Sequence, residues 1–222
     1  MFRDCNLEDI SDGRLYGIND MARLGCNDCK GCSACCSDMG NSIVLDPLDV
    51  FRIRTNGGES IESLLQDKFE LNMADGVILP NIKMTGGNAS CPYLDKEGRC
   101  SIHEYRPGIC RMFPLGRYYE NGDYHYILQK NQCRKLNRTK VKISRWLDIP
   151  DYSDYREYVL KWHYLLLDVS EKVRELQDSD AKQLELMLIN MFYIKIEAES
   201  EKEFMEEFDQ KCGMMRKLLA EL

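Results

Sequence analysis

Eight of the chain's eleven cysteines fall in two dense groups, and this spacing limits what the chain can fold into. The first group is the run Cys29-Lys30-Gly31-Cys32-Ser33-Ala34-Cys35-Cys36. Thiolates two residues apart on a tight turn can converge on one soft metal ion, as they do in zinc and iron–sulfur sites. The sequence therefore predicts a thiolate metal centre. The second group is more widely spaced and consists of Cys91, Cys100, Cys110 and Cys133.

Disulfides are the other common use of many cysteines, and several features argue against them here. The cysteine count is odd and the chain of 222 residues is not small. The start, Met1 to Glu8, has neither the basic residues nor the apolar stretch of a secretory signal. The densest apolar run, Leu186 to Ile194, is far shorter than the roughly 20 residues that span a bilayer. We therefore expect a cytoplasmic protein with reduced thiols.

Two different sets of cysteines in the first group could supply the metal ligands. Cysteines from Cys26 to Cys36 give C-x2-C-x2-C-x3-C, the spacing of bacterial ferredoxins, but Ser37 stands where ferredoxins have proline. The run that starts at Cys29 gives C-x2-C-x2-C-C and needs ligands from the second group. The side chains of adjacent residues point in different directions, so adjacent cysteines such as Cys35 and Cys36 seldom bind the same metal ion. Either one of them is structural, or they serve different metals or a multinuclear cluster.

Charged and polar residues accompany the second group. Pro107 is suited to opening a short helix that carries Cys110. Arg106 and Arg111 lie between or beside these cysteines, where they could balance the negative charge of a thiolate centre and donate hydrogen bonds to it. We predict that they support the bound cofactor. His103 is a weaker ligand candidate, because enough thiolates are present without it.

Together these motifs resemble the YkgJ-type cysteine-cluster family, which is described as chelating zinc or iron. The motifs are C-x2-C-x2-C-C, then C-P-x-L, then C-x-I-x3-R-P-x2-C-R-x-F-P, and the likeness covers roughly Cys29 to Cys133. The related flagellin lysine-N-methylases carry a similar pattern and are linked to an iron–sulfur cluster. The resemblance implies a metal-binding site but does not specify a reaction. Its implied metal ligands are Cys29, Cys32, Cys35, Cys36, Cys91, Cys100, Cys110 and Cys133.

We predict an α+β fold with an irregular, metal-centred part in residues 1–140 and a helical bundle in residues 141–222. In the first part, Asp46 and Pro47 favour the start of a helix that ends near Asn56 with Gly57 as its C-cap. Further local patterns predict a helix over residues 61–71, a strand at residues 77–79 and a hairpin over residues 117–126 that turns at Asn121-Gly122.

Three amphipathic helices are predicted in the second part. The first carries apolar residues at helical spacing between Tyr155 and Val173. The second begins at the capping pair Asp180 and Gln183, reaches about Glu197, and is apolar on most sides, so we expect it to be buried between its neighbours. The third begins at a capping box of Ser200 and Glu203, and its apolar stripe consists of Phe204, Phe208, Cys212, Met215 and Leu219.

The net charge of −7 argues against general nucleic-acid binding. One basic run interrupts this acidic chain, and we interpret it as a solvated connector, with a docking patch for an acidic partner as the alternative. A protein partner for the helical part is a separate possibility. The residues of the basic run are Arg134, Lys135, Arg138, Lys140, Lys142 and Arg145.

Three functions are compatible with these patterns. An iron–sulfur protein, with a [4Fe–4S] cluster in a redox or enzyme-accessory role, is favoured because eight candidate thiolates exceed the needs of one zinc ion. A zinc-stabilised protein-interaction module is the second. An S-adenosylmethionine-dependent protein methyltransferase is the third, by analogy with the flagellin enzymes alone.

Overall fold

Three two-stranded antiparallel sheets and a set of packed helices make up the fold, which a computed structural model describes for residues 6–25, 32–87, 89–135 and 137–222. The predicted α+β class is confirmed. Within the described ranges, no helix is long and apolar enough to cross a membrane. In chain order the elements are α1 (Leu7–Ile10), β1 (Met21–Gly25), α2 (Pro47–Gly57), α3 (Ile61–Asp67), β2 (Phe69–Ala74), β3 (Val77–Ile82), α4 (Gly108–Met112), β4 (Leu115–Glu120), β5 (Asp123–Leu128), β6 (Thr139–Lys142), α5 (Ile143–Leu147), α6 (Tyr152–Glu175), α7 (Asp178–Ile189) and α8 (Glu201–Glu221).

Helix α2 begins as predicted. The Asp46 side chain accepts a hydrogen bond from the Asp49 backbone N–H, and the Asp49 carboxylate accepts one from the backbone N–H of Asp46. The predicted C-cap was wrong by one residue, because Gly58, with φ of +67°, takes the left-handed conformation that ends the helix.

The prediction of a helix over residues 61–71 was wrong in its second half. Helix α3 ends at Asp67, and the following residues form β2, which pairs in register with β3 from Phe69↔Ile82 to Ala74↔Val77. Pairing between strands overrides the helical pattern here, since Phe69 gains complete burial in the core. The strand predicted at residues 77–79 is confirmed as part of β3.

The hairpin of β4 and β5 is confirmed with the predicted turn. Asn121 and Gly122 both have positive φ, +50° and +79°, which is the geometry of a type I′ turn. Six residue pairs from Leu115↔Leu128 to Glu120↔Asp123 hold the strands together. His125 is half-exposed on this hairpin.

The ribbon of β1 and β6 was not predicted, and the connector interpretation of the basic run was wrong for its second half. Residues 139–142 form β6 and residues 143–147 form α5. Ala22 and Leu24 on β1 are buried, as is Ile143 at the start of α5. Burial of these apolar side chains fixes the segment, while its basic side chains point outward. Gly25 lies so close to Thr139 that a Cβ atom would collide with it.

The C-terminal helices pack as a bundle around aromatic side chains. Tyr158 on α6 contacts Phe208 on α8 with 4.6 Å between ring centroids, and Trp162 lies 5.1 Å from Phe192. The Ser200 hydroxyl caps α8 as predicted, but the Glu203 carboxylate accepts from the N–H of Glu199 rather than that of Ser200. Cys212 is buried on the α8 stripe, as expected.

Helix α7 departs from its prediction at both ends. It begins after Gln177 rather than at Asp180, and a π-helical turn, Asn190–Ile194, continues it. One face is also more open than expected, because the Leu186 side chain is 69% exposed. The opposite face, with Leu184 and Leu188, is buried.

One hydrophobic core runs through both predicted parts of the chain. It includes Leu24 on β1, Leu48 on α2, Leu115 on β4, Leu165 on α6 and Met215 on α8, each nearly inaccessible to solvent. The two parts therefore share apolar packing. The boundary between residues 140 and 141 stays a prediction.

Candidate metal centre

Backbone hydrogen bonds join the two cysteine groups directly. The Cys91 N–H donates to the Cys36 carbonyl at 2.8 Å, and Asp38 N–H donates to the Ala89 carbonyl at 3.0 Å. Ser37 and Ser90 form an antiparallel bridge between these bonds. The end of the first group and the start of the second are therefore neighbours, although they are far apart in the chain.

A tight loop brings Cys100 back towards Cys91. Leu94 N–H donates to the Cys91 carbonyl at 3.0 Å, and Leu94 pairs with Cys100 in an antiparallel bridge. The Asp95 carboxylate organises the turn by accepting hydrogen bonds from the N–H groups of Glu97 at 2.9 Å and Arg99 at 2.8 Å. The loop thus returns Cys100 to the chain segment that follows Cys91.

Four thiols from both groups interact electrostatically. A negative charge on Cys35 raises the pKa of Cys91, Cys100 and Cys110, although burial is the largest cause for each of these three. For Cys35 itself, a side-chain hydrogen bond with Cys36 is the main cause of a raised pKa, ahead of burial. Such thiols stay protonated until a metal ion or another positive charge compensates the thiolate.

The other predicted ligands either stand outside this group of four thiols or fall outside the described residues. Cys32 and Cys133 are half-buried. Cys29, like Cys26, lies in a segment that the structure does not describe. All cysteines in the described ranges are free thiols, and among those ranges no three His, Cys, Asp or Glu side chains are placed to hold one metal ion. The thiols share an environment, and their role as ligands stays a prediction.

Arg106 lies within this thiol environment. Its positive charge lowers the pKa of Cys35 and of Cys100, against the larger effects that raise them. Its Nη1 donates to His103 Nε2 at 2.8 Å, since a guanidinium can only donate. Its buried Nε has no hydrogen-bond partner among the described residues. A buried donor beside several thiols fits an anionic metal–thiolate centre, which would accept its hydrogen bond.

Arg111 stabilises the position of α4 through hydrogen bonds. Its guanidinium donates to the backbone carbonyls of Glu104, of Leu147 at 3.5 Å and of Asp148 at 3.4 Å. These bonds tie α4, which carries Cys110, to the preceding 3-10 turn and to the end of α5. Direct contact of Arg106 or Arg111 with a cofactor stays a prediction.

A buried polar layer supports α4 from the other side, and sequence reasoning missed it. The Asp49 carboxylate accepts a hydrogen bond from the Gly108 N–H at 2.8 Å. Burial, and after it the charge of the nearby Asp46 carboxylate, raise the pKa of Asp49 to about 8. Asp49 in turn raises the pKa of Cys110. The sequence showed Asp46 and Asp49 only as helix-capping residues.

Tyrosines of α6 complete this layer. The Tyr158 hydroxyl donates to Asp46 at 3.0 Å and accepts from the Leu48 N–H at 2.9 Å. The Tyr155 hydroxyl accepts from Arg117 at 2.8 Å. It also lies where a Cβ atom on Gly108 would approach it to 2.5 Å, so only glycine fits there. Gly108, at the start of α4, is therefore held between Asp49 of α2 and Tyr155 of α6.

A comparison with protein families places these residues in a known pattern. The family model "CxxCxxCC: Putative zinc- or iron-chelating domain" matches residues 28–139, just over half of the chain. The match contains both cysteine groups, the loop between Cys91 and Cys100, and α4. In the accompanying searches, no curated protein and no solved structure matched the chain.

Proposed function

The chain belongs to the CxxCxxCC family, and from that premise we propose that it holds an iron–sulfur cluster of the [4Fe–4S] type. Cysteines of both groups would be its ligands, and the protein would act in electron transfer or as an accessory to another enzyme. A cytoplasmic location suits this role, since thiols remain reduced there.

The shared environment of four partly buried thiols carries the proposal. Cys35 from the first group and Cys91, Cys100 and Cys110 from the second affect each other's protonation. Four thiolates are the ligand set of a [4Fe–4S] cluster. Further thiols nearby in the chain, among them Cys36, exceed what a single zinc ion needs, which favours iron over zinc.

The protein's own residues would prepare the site. Cys91, Cys100 and Cys110 lose their protons when metal binds, so loading is coupled to proton release. The unpartnered Nε of Arg106 supplies a hydrogen bond and a positive charge towards the centre. Arg111 and Asp49 hold the short helix of Cys110 in place. When bound, the cluster supplies one-electron redox chemistry.

Oxygen-free purification of the full chain tests the proposal. Iron, acid-labile sulfide and zinc are measured on the same sample, together with the visible spectrum. We expect about four iron and four sulfide ions per chain and a brown protein that bleaches on reduction. Cys212→Ser is the matched control and should leave these values unchanged, because Cys212 lies in the helical core. A colourless protein with stoichiometric zinc contradicts the proposal.

Zinc in the same four thiolates is the second candidate, because four is also the ligand number of a closed structural zinc site. The protein would then be an interaction module whose helices bind a partner. One zinc ion per chain together with loss of partner pull-down on disruption of α6 to α8 supports this function. A reversible redox transition of the purified centre contradicts it.

A further inference from the structure

The outer face of the β1–β6 ribbon is almost entirely basic. The register pairs Arg23 with Lys140 and Met21 with Lys142, so these four side chains share one face. All four are exposed, whereas Ala22 and Leu24 on the opposite face are buried. We call Arg23, Lys140 and Lys142 the basic ribbon; it is flanked by the exposed residues Arg134, Lys135 and Arg145.

These cations stand outside the ion pairs seen in the described residues. Some other basic side chains are paired, as in Arg52–Glu201 and Lys161–Asp209. Within the described ranges no ion pair reaches the basic ribbon or its flanks. A chain with a net charge of −7 has many carboxylates for such pairs. Because Arg23, Lys140 and Lys142 cluster on one exposed face without such partners, that face carries a positive potential that an external anion can use.

The surface is rigid and small. Its inner side chains Ala22 and Leu24 belong to the hydrophobic core, so the backbone of the ribbon is ordered before a partner binds. Four residues of β6 span about 13 Å, which suits a discrete acidic patch or segment. At the edge of this face Met21 is 51% exposed and adds an apolar contact of the kind found in protein interfaces.

From these features we propose that the basic ribbon docks an acidic segment of a partner protein. A nucleic-acid strand fits less well, because its phosphates would extend beyond the ribbon over an acidic protein, and this face has no aromatic side chain for base stacking. The inference is independent of which metal the protein holds. Strand β1 ends at Gly25, directly before Cys26 in the sequence, so both strands adjoin the cysteine-rich segments of the chain.

A charge-reversal pair of variants tests this docking surface in the full, metal-loaded chain. The ribbon variant carries Arg23→Glu, Lys140→Glu and Lys142→Glu. The control carries Lys182→Glu, Lys202→Glu and Lys217→Glu, which are exposed on or beside α7 and α8 and change the net charge equally. Labelled polyglutamate, single-stranded DNA of similar length and phosphatidylserine vesicles are the probes. Circular dichroism and metal content of each variant report whether it is folded and loaded.

We expect polyglutamate to bind the wild type and the control at low salt, and to bind the ribbon variant at least about tenfold more weakly. Added salt should weaken the binding, since exposed charges are screened. If the triple variant fails to fold, Lys140→Gln with Lys142→Gln should still give a measurable loss. Three results overturn the proposal: no polyglutamate binding, equal loss in the control, or tighter binding of DNA or vesicles. Self-association that only the ribbon variant abolishes also overturns it, because the occupant is then a second copy.

Discussion

His163 shows at the scale of one residue how its surroundings set its chemistry. Its ring stacks on Tyr119 with 3.5 Å between centroids and an interplanar angle of 9°. Burial, the largest cause, lowers the pKa of His163 from 6.5 to about 4. The folded protein therefore keeps this imidazole neutral at a pH where the unfolded chain would protonate it. Its side chain is partly buried against Tyr119.

Replacing His163 with phenylalanine should reduce the acid sensitivity of the fold. Between pH 6.5 and about 4 the unfolded state binds the extra proton, so the free energy of unfolding falls as the pH falls. Because the side chain is half-exposed, solvent screening reduces the effect to about 1–2 kcal/mol. Urea unfolding at pH 7 and at pH 4.5 measures it. An equal pH dependence in the wild type and in His163→Phe would show that His163 does not contribute.

Gly108 is the second residue whose role depends on close contact. In Gly108→Ala the new methyl group meets the Tyr155 hydroxyl, so we expect a loss of about 1–3 kcal/mol in unfolding free energy together with a lower metal content. Gly213→Ala is the control, since nothing lies within 4 Å of its added Cβ on α8. It should be neutral or stabilise the helix. Similar losses in both variants would contradict the packing argument.

The sequence predicts some residues of the site and misses others for a physical reason. Cys91, Cys100 and Cys110 are recognisable because they lie in the C-P-x-L and C-x-I-x3-R-P-x2-C-R-x-F-P motifs on which the family resemblance rests. The hydrogen bond from Gly108 to Asp49 joins distant parts of the chain, and neither residue has a local pattern that predicts it. Long-range polar contacts of this kind become visible only in three dimensions.

Among the elements, the N-terminus of α2 connects the helical part to the candidate metal centre. The Asp49 carboxylate accepts from the backbone N–H groups of Asp46 and Gly108, so it caps one helix and holds the start of another. Tyr158 on α6 reaches the same helix end through Asp46. A change at this junction should therefore affect both stability and metal binding.

The substitution Asp49→Ala tests that junction. It leaves two buried N–H groups without their acceptor, so we expect a loss of about 2–4 kcal/mol in unfolding free energy and a clear loss of bound metal. Ser200→Ala removes an exposed cap on α8 and should cost about 1 kcal/mol with unchanged metal content. Urea unfolding and elemental analysis measure both effects. If Asp49→Ala binds metal like the wild type, the junction does not position Cys110.

Elements that depend on a few adjacent residues were predicted better than strands that depend on pairing with another segment. The caps of α2 and α8 and the Asn121-Gly122 turn follow from a few adjacent residues. Strands β1 and β6 form because distant segments meet and bury apolar side chains, and their own sequences are short and ambiguous. Strand β2 pairs with the adjacent β3 across a turn at Asp75 and Gly76, and this pairing replaced the end of the helix predicted over residues 61–71.

At the scale of the whole molecule, one core joins the cysteine-rich and the helical parts. Residues from β1 to α8 belong to one hydrophobic cluster, and α4 packs against both α2 and α6. The sequence predicted a cysteine-rich part and a helical part but could not show this shared packing. Metal binding in the first part should therefore stabilise more than the cysteine loops alone.

Removal of the metal should measurably lower the thermal stability of the folded chain. Ligands that bind only the folded state stabilise it by mass action, by about 3 kcal/mol at a hundredfold excess over Kd. Thermal unfolding followed at tyrosine and tryptophan absorbance compares loaded and chelator-treated protein. Reconstitution should restore the midpoint. Equal midpoints before and after removal would mean that the centre and the fold are not coupled.

The central claim is that both cysteine groups hold one shared centre, and the most direct test substitutes one cysteine from each. Cys35→Ser and Cys100→Ser are purified without oxygen beside the wild type, and iron, sulfide and zinc are measured per chain. We expect either substitution alone to remove or degrade the same whole centre, because both thiols serve it. A variant that retains the full wild-type metal content and spectrum would contradict the claim.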